Sequence, residues 1–186
     1  MTPRSISRVL AVVVSFAALA AQAANVGFTP PHTQASVGEI FSITVAASGF
    51  DENLDGGGLS LEFDPAVVSF VDATFDPDWD FFTDAGVLDT NTGTLSDMQF
   101  NQFAHPQVGA FDIVTLRFEA LALGNSGLTL AFGSNPFASA GEVVAVTLGA
   151  GSVTVVPLPA AGGLLLLGLA PCAMRLGRKD THRRHS

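Results

Sequence analysis

The sequence predicts one antiparallel β-sandwich between an N-terminal signal peptide and a C-terminal transmembrane helix. Three observations predict this arrangement. Apolar residues in the middle of the chain recur with a period of two, turn-forming residues separate these runs, and each end combines an apolar run with basic residues. We therefore divide the 186 residues into a signal peptide (1–23), a sandwich domain (24–154) and a C-terminal sorting region (155–186).

The N-terminal segment has the three parts of a secretory signal peptide. Arg4 and Arg8 supply positive charge, residues 9–20 form an apolar run, and Ala21 and Ala23 form an A-x-A cleavage site. The alternative is an uncleaved N-terminal anchor, but the apolar run is short and ends in small residues. We therefore expect export and cleavage after Ala23.

The middle of the chain has the pattern of half-buried strands. Apolar residues alternate with other residues in a series of runs, namely Phe41/Ile43/Val45, Leu59/Leu61/Phe63, Met98/Phe100, Val114/Leu116/Phe118, Leu128/Leu130/Phe132, Val144/Val146/Leu148 and Val153/Val155. Turn signals rich in Gly, Asn, Asp and Pro lie between the runs, at residues 37–39, 55–58, 64–65, 91–93, 124–127 and 135–136. Strands packed against a second sheet produce this pattern, so we expect a sandwich without helices.

Charge is segregated along the chain. The stretch between Ala24 and Val156 holds 16 of the 17 acidic residues and a single basic residue, Arg117, which gives it a formal charge of −15. Such a domain repels nucleic acid and anionic surfaces. The stretch has no cysteine, no G-x-S-x-G motif and only two histidines, His32 and His105. We therefore expect a domain that is not an enzyme and that has no catalytic residues.

The densest polar feature runs from residue 76 to residue 84, and it supplies the ligand-binding candidates Trp79, Asp76, Asp78, Asp80 and Asp84. Alternate carboxylates could chelate Ca²⁺, although the segment lacks the glycine and the glutamate of an EF-hand. A second interpretation is a solvated acidic loop with Phe81 or Phe82 buried, and a third makes Trp79 an exposed anchor. The chain has no Tyr and one Trp, so we expect its phenylalanines to fill the core. We favour the solvated loop and assign no metal and no cofactor.

The C-terminal region combines a motif, an apolar stretch and a basic cluster. The motif consists of Val156, Pro157, Leu158, Pro159 and Ala160. Residues 155–174 are uncharged and long enough to cross a bilayer core about 30 Å thick, and we place the helix at residues 158–174. The basic cluster consists of Arg175, Arg178, Lys179, Arg183 and Arg184. Positive charge after the helix predicts a cytoplasmic tail and an external domain. A permanent single-pass anchor is the alternative to a temporary span.

This order of motif, helix and basic cluster resembles the VPLPA-type variant of the PEP-CTERM sorting signal. The resemblance implies processing by an exosortase, a membrane-embedded cysteine transpeptidase of Gram-negative bacteria that make exopolysaccharide. It implies a precursor held transiently in the inner membrane and a mature protein at the cell surface or in the extracellular matrix.

The middle of the chain resembles a cohesin domain. Residues 36–45 match one strand of that family, and residues 57–71 match its glycine-led strand, Asp-Pro turn and following strand. Residues 94–100 and 113–120 fit later strands. The resemblance implies a nine-stranded jelly-roll sandwich related to carbohydrate-binding modules. It also implies a binding module for a dockerin-like protein or for a polysaccharide, with a role in polysaccharide catabolism. The alternative is a structural protein of the biofilm or exopolysaccharide matrix without a specific ligand.

Overall fold

The computed structural model describes residues 24–158. This part of the chain contains strands and no helix, and therefore no helix that could cross a membrane. Ala21, Ala23, Pro159, Ala160, the basic cluster and the predicted transmembrane helix beyond residue 158 lie outside the described residues. The strands are β1 (Ala24–Thr29), β2 (His32–Ser36), β3 (Ile40–Phe50), β4 (Gly56–Glu62), β5 (Val68–Phe75), β6 (Phe82–Asp84), β7 (Val87–Asp89), β8 (Thr94–Asn101), β9 (Gly109–Ala120), β10 (Gly124–Phe132), β11 (Ala138–Ser139), β12 (Glu142–Val143), β13 (Val146–Leu148) and β14 (Ala150–Val156).

The strands form two sheets. Sheet A has the order β13-β1-β3-β9-β5, and sheet B has the order β12-β11-β4-β10-β14-β2. In sheet B, β8 also pairs with β4, and β6 and β7 pair with β8. The predicted all-β sandwich is therefore confirmed.

Two ladders depart from the predicted antiparallel pairing. β1 runs parallel to β13, and β2 runs parallel to β14. The reason is that the first and last strands both cross from sheet A to sheet B. Pro30 and Pro31 interrupt the first crossing strand, since proline has no N–H to donate to a ladder, and Gly149 interrupts the last one. The Ser152 N–H donates to the Pro31 carbonyl at 2.9 Å and holds the two crossings together.

The core lies between the sheets and confirms most of the predicted alternation. Its largest fully buried side chains are Phe100, Phe118, Phe137, Ile43, Leu54, Leu59, Leu61, Leu95, Met98, Ile113, Leu116 and Leu128. Phe132 departs from the pattern, because it is exposed at the end of β10. Every strand pairs with at least one neighbour, and the two sheets enclose one buried cluster. Residues 24–158 therefore form a self-contained folding unit.

Leu95 lies on β8 and faces Leu61 of β4 across the ladder.

Two of the predicted turns are wrong, because residues 55–58 and 124–127 lie largely within β4 and β10. The glycines at the start of β4 serve close packing instead of a turn. A Cβ at Gly56 would collide with the Phe100 carbonyl oxygen, and one at Gly57 would lie 3.0 Å from the Phe137 ring. The glycines therefore let β4 approach its neighbours more closely than a side chain would allow.

Candidate binding surface

The acidic segment begins with a tight turn that follows β5. The Asp76 carboxylate accepts the Asp78 N–H at 3.0 Å, and the Asp76 carbonyl accepts the Trp79 N–H at 3.0 Å. The Asp76 N–H donates to the Ile113 carbonyl at 3.1 Å and fixes the turn to β9. An aspartate that bonds to the backbone two residues later is typical of such turns. The turn determines which aromatic side chain faces the core.

That side chain is Trp79, which is only 4% exposed. Its ring lies 4.7 Å from the Phe100 ring and 5.8 Å from the Phe111 ring, centroid to centroid. Its Nε1–H donates to the Asp112 carbonyl at 3.2 Å. The interpretation of Trp79 as an exposed anchor is therefore wrong, because the indole is part of the core.

The neighbouring phenylalanines take the opposite position. Phe81 is 70% exposed and Phe82 is 45% exposed, so neither is buried as the solvated-loop interpretation expected. Phe103, from the loop after β8, is 83% exposed, and its ring lies 6.3 Å from that of Phe81. We call Phe81, Phe82 and Phe103 the aromatic patch. No local sequence pattern indicates the patch, because Phe103 is distant in the chain and the alternation does not extend into loops.

Asp80 connects the two loops that carry the patch. Its Oδ1 accepts the Phe103 N–H at 2.8 Å and the Ala104 N–H at 3.4 Å. Its Oδ2 lies 3.2 Å from Nδ1 of His105. The hydrogen bond from the Phe103 amide lowers the pKa of Asp80 below its ordinary value of 3.8, since it favours the charged carboxylate. Asp80 therefore links the two loops that carry the patch.

The other carboxylates of the segment do not converge. Asp84 accepts the Gly86 N–H at 2.8 Å, and Asp76 is engaged in its own turn. Across residues 24–158, no group of three or more His, Cys, Asp or Glu side chains is placed to hold a metal ion. Asp76, Asp80 and Asp84 thus take part in separate local hydrogen bonds.

The charge around the patch is strongly negative. Arg117 is the one Lys or Arg of the stretch from 24 to 158, and its guanidinium lies 2.7 Å from the Asp72 carboxylate. It is therefore already paired on sheet A. Within residues 24–158, the carboxylates of the acidic segment therefore have no lysine or arginine to neutralise them.

Two shallow concave surfaces lie elsewhere on the sandwich. A groove of about 660 Å³ on sheet A has a floor of small residues that includes Gly27 and Ala46. A depression of about 510 Å³ on sheet B is lined by Glu62, Asp64 and several threonines. The second has carboxylate and hydroxyl groups that can form hydrogen bonds.

The sorting motif begins inside the last strand. Val156 pairs with Ser36, and its carbonyl accepts the Val37 N–H at 3.2 Å. Pro157 follows the end of the strand, and Leu158 is exposed. The motif therefore starts where the sandwich ends.

No protein-family profile and no curated protein matches the chain. Among solved structures, the chain is similar to the cohesin CaCohA2 of Clostridium acetobutylicum, at 14% identity and a TM-score of 0.58, over 73% of this chain and 92% of that one. It is similar to a chain of the Coh-OlpA–Doc918 cohesin–dockerin complex of Clostridium thermocellum, at 10% identity and a TM-score of 0.61, over 73% and 100%. It is also similar to a non-cellulosomal cohesin of the archaeon Archaeoglobus fulgidus, at 14% identity and a TM-score of 0.61, over 77% and 98%. These likenesses establish a cohesin-like fold.

Proposed function

We propose that residues 24–158 form a non-catalytic module that binds a dockerin-like protein. The fold supports this proposal, because one of the similar structures is a cohesin in complex with a dockerin. The observation that carries it is the aromatic patch, with Phe81 and Phe103 70% and 83% exposed on a rigid sandwich. Exposed apolar patches of this kind are typical of interaction surfaces.

The charge of the domain favours a basic partner. The formal charge of −15 between Ala24 and Val156 attracts positively charged surfaces and repels negatively charged ones. A partner with Lys and Arg around an apolar centre would be complementary to the patch and to its surroundings.

The histidines of the domain support a non-catalytic role. His105 faces Asp80, and Nδ1 of His32 lies 2.9 Å from the Ser152 hydroxyl. The two histidines thus have different partners. Within residues 24–158, no acidic side chain is hydrogen-bonded to His32, the histidine that contacts Ser152. Neither site has the three-member arrangement that activates a nucleophile.

Export and sorting form a second part of the proposal. The signal peptide would direct export, and an exosortase would read the motif from Val156 to Ala160. The exposed Leu158 and the end of β14 at Val156 support access of an enzyme to the motif. The module would then reach the cell surface or the extracellular matrix of a Gram-negative bacterium.

A polysaccharide ligand is the second candidate. The depression of about 510 Å³ on sheet B favours it, because Glu62, Asp64 and Thr129 line it with hydrogen-bonding groups. Its one aromatic lining residue, Phe63, is buried in the core and offers no exposed platform for a sugar ring, which makes the polysaccharide the weaker candidate.

The test is capture followed by titration. Immobilised residues 24–158 are exposed to the secreted proteins of the source organism, and any retained protein is purified and titrated against the domain. A panel of neutral and acidic polysaccharides is titrated in parallel. We expect saturable binding to one protein, whereas saturable binding to a polysaccharide alone would overturn the proposal.

A further inference from the structure

We propose that the aromatic patch is the docking surface for an apolar protein segment flanked by lysine or arginine. This inference rests on the proposed function and deepens it, because it names the surface and the chemistry of the partner. Three exposed phenylalanines lie at one end of sheet B, where β6 and the loop after β8 meet, and the rings of Phe81 and Phe103 lie 6.3 Å apart. Their exposure is unfavourable in water unless a partner covers them.

The patch is held in place before any partner arrives. The Phe81 N–H donates to the Asn101 carbonyl at 3.2 Å, and Phe82 pairs with Asn101 in the β6–β8 ladder. The Phe103 N–H donates to the Asp80 carboxylate at 2.8 Å. A preorganised surface loses little conformational freedom on binding, which favours affinity.

Charge identifies the occupant. Asp78, Asp80 and Asp84 lie in the segment that carries Phe81 and Phe82. A second copy of the domain would bring another charge of −15 to the same place, and an anionic lipid surface would be repelled too. A segment with apolar side chains and flanking cations satisfies both the patch and its surroundings.

The experiment uses a defined probe on residues 24–158. The probe is a synthetic peptide of about 18 residues that forms an amphipathic helix of leucine and lysine. A matched peptide with glutamate in place of lysine tests the charge, and zwitterionic phosphatidylcholine vesicles test a lipid surface. Affinities are measured by titration calorimetry, and sedimentation measures self-association.

The decisive variant is the double substitution Phe81→Ala with Phe103→Ala. The matched control is Leu121→Ala with Leu123→Ala, which removes two exposed apolar side chains near the start of β10, at the other end of sheet B. Circular dichroism verifies that both variants fold. We expect the patch variant to bind the leucine–lysine peptide at least about tenfold more weakly, which corresponds to about 1.4 kcal/mol, and the control to bind as the native domain does.

The results separate the two proposals. Equal binding of the peptide by the patch variant and the native domain would overturn the docking surface. Patch-dependent binding to the vesicles, or patch-dependent self-association, would overturn the choice of occupant. If a captured protein binds both forms equally, the proposed function stands and the docking surface fails. If only the peptide binds, and in a patch-dependent way, the docking surface stands and the dockerin-like partner fails.

Discussion

Replacement of Trp79 by alanine should destabilise the sandwich strongly, because the indole belongs to the core. Trp79 is 4% exposed and contacts Phe100 and Phe111. Burial of an aromatic side chain removes about 150–250 Å² from water, which at about 25 cal/mol per Å² contributes about 4–6 kcal/mol. Residual compactness of the unfolded chain reduces this figure. We therefore expect the free energy of unfolding to fall by about 3–5 kcal/mol.

The assay is urea unfolding of residues 24–158, followed by far-ultraviolet circular dichroism because the variant lacks tryptophan. Trp79→Phe keeps most of the buried area and loses the hydrogen bond to the Asp112 carbonyl, so we expect a loss of about 1–2 kcal/mol. Phe81→Ala and Phe103→Ala are the controls, and each should change stability by less than about 0.5 kcal/mol. A larger loss for either phenylalanine than for Trp79 would refute the placement of these side chains.

Two other predictions rest on local geometry, and a third rests on the proposed sorting motif. Gly93 and Gly38 both have a positive φ, +68° and +83°, but a Cβ at Gly93 would collide with the Phe63 carbonyl oxygen, whereas a Cβ at Gly38 would meet open space. In urea unfolding, Gly93→Ala should therefore cost about 1–3 kcal/mol and more than Gly38→Ala, and equal losses would contradict this. Asp80 has a lowered pKa, so its stabilisation of the two amides is present above pH 3.8 and is lost as pH falls through the lower folded-state value. Hydrogen exchange of the Phe103 and Ala104 amides should therefore change as Asp80 is protonated in the native domain, and this change should be absent in Asp80→Asn. The same pH profile in both proteins would refute the role of Asp80 in holding these amides. Substitution of Pro157 and Pro159 by alanine should leave export intact and block processing, measured by the size of the secreted product, and normal processing would exclude the sorting signal.

Much of the fold follows from the sequence because the sandwich has one buried face per strand. Phe41, Ile43 and Val45 alternate in the sequence and are buried in β3. The crossing of the first and last strands between sheets was not predicted, because the period of two is the same in either sheet. The glycines of β4 were interpreted as a turn, because the sequence alone does not distinguish a glycine that adopts a positive φ from a glycine that allows close packing.

For the candidate binding surface, the sequence indicated the segment that carries it but not which side chains are exposed. The segment around Asp80 was singled out by its charge, and the structure places it at the aromatic patch. The burial of Trp79 and the exposure of Phe81 depend on the turn at Asp76, which orients each side chain in a loop without periodicity. Phe103 joins the patch through a contact distant in sequence, which no local pattern indicates.

The most direct test of the account is titration of the purified captured protein against residues 24–158 and against the Phe81→Ala, Phe103→Ala variant. The titration is performed at about 50 mM and about 300 mM salt, because screening weakens attraction between opposite charges. The account predicts saturable binding that weakens with salt and that falls at least about tenfold in the variant. Affinity that is the same in both forms and at both salt concentrations would contradict it.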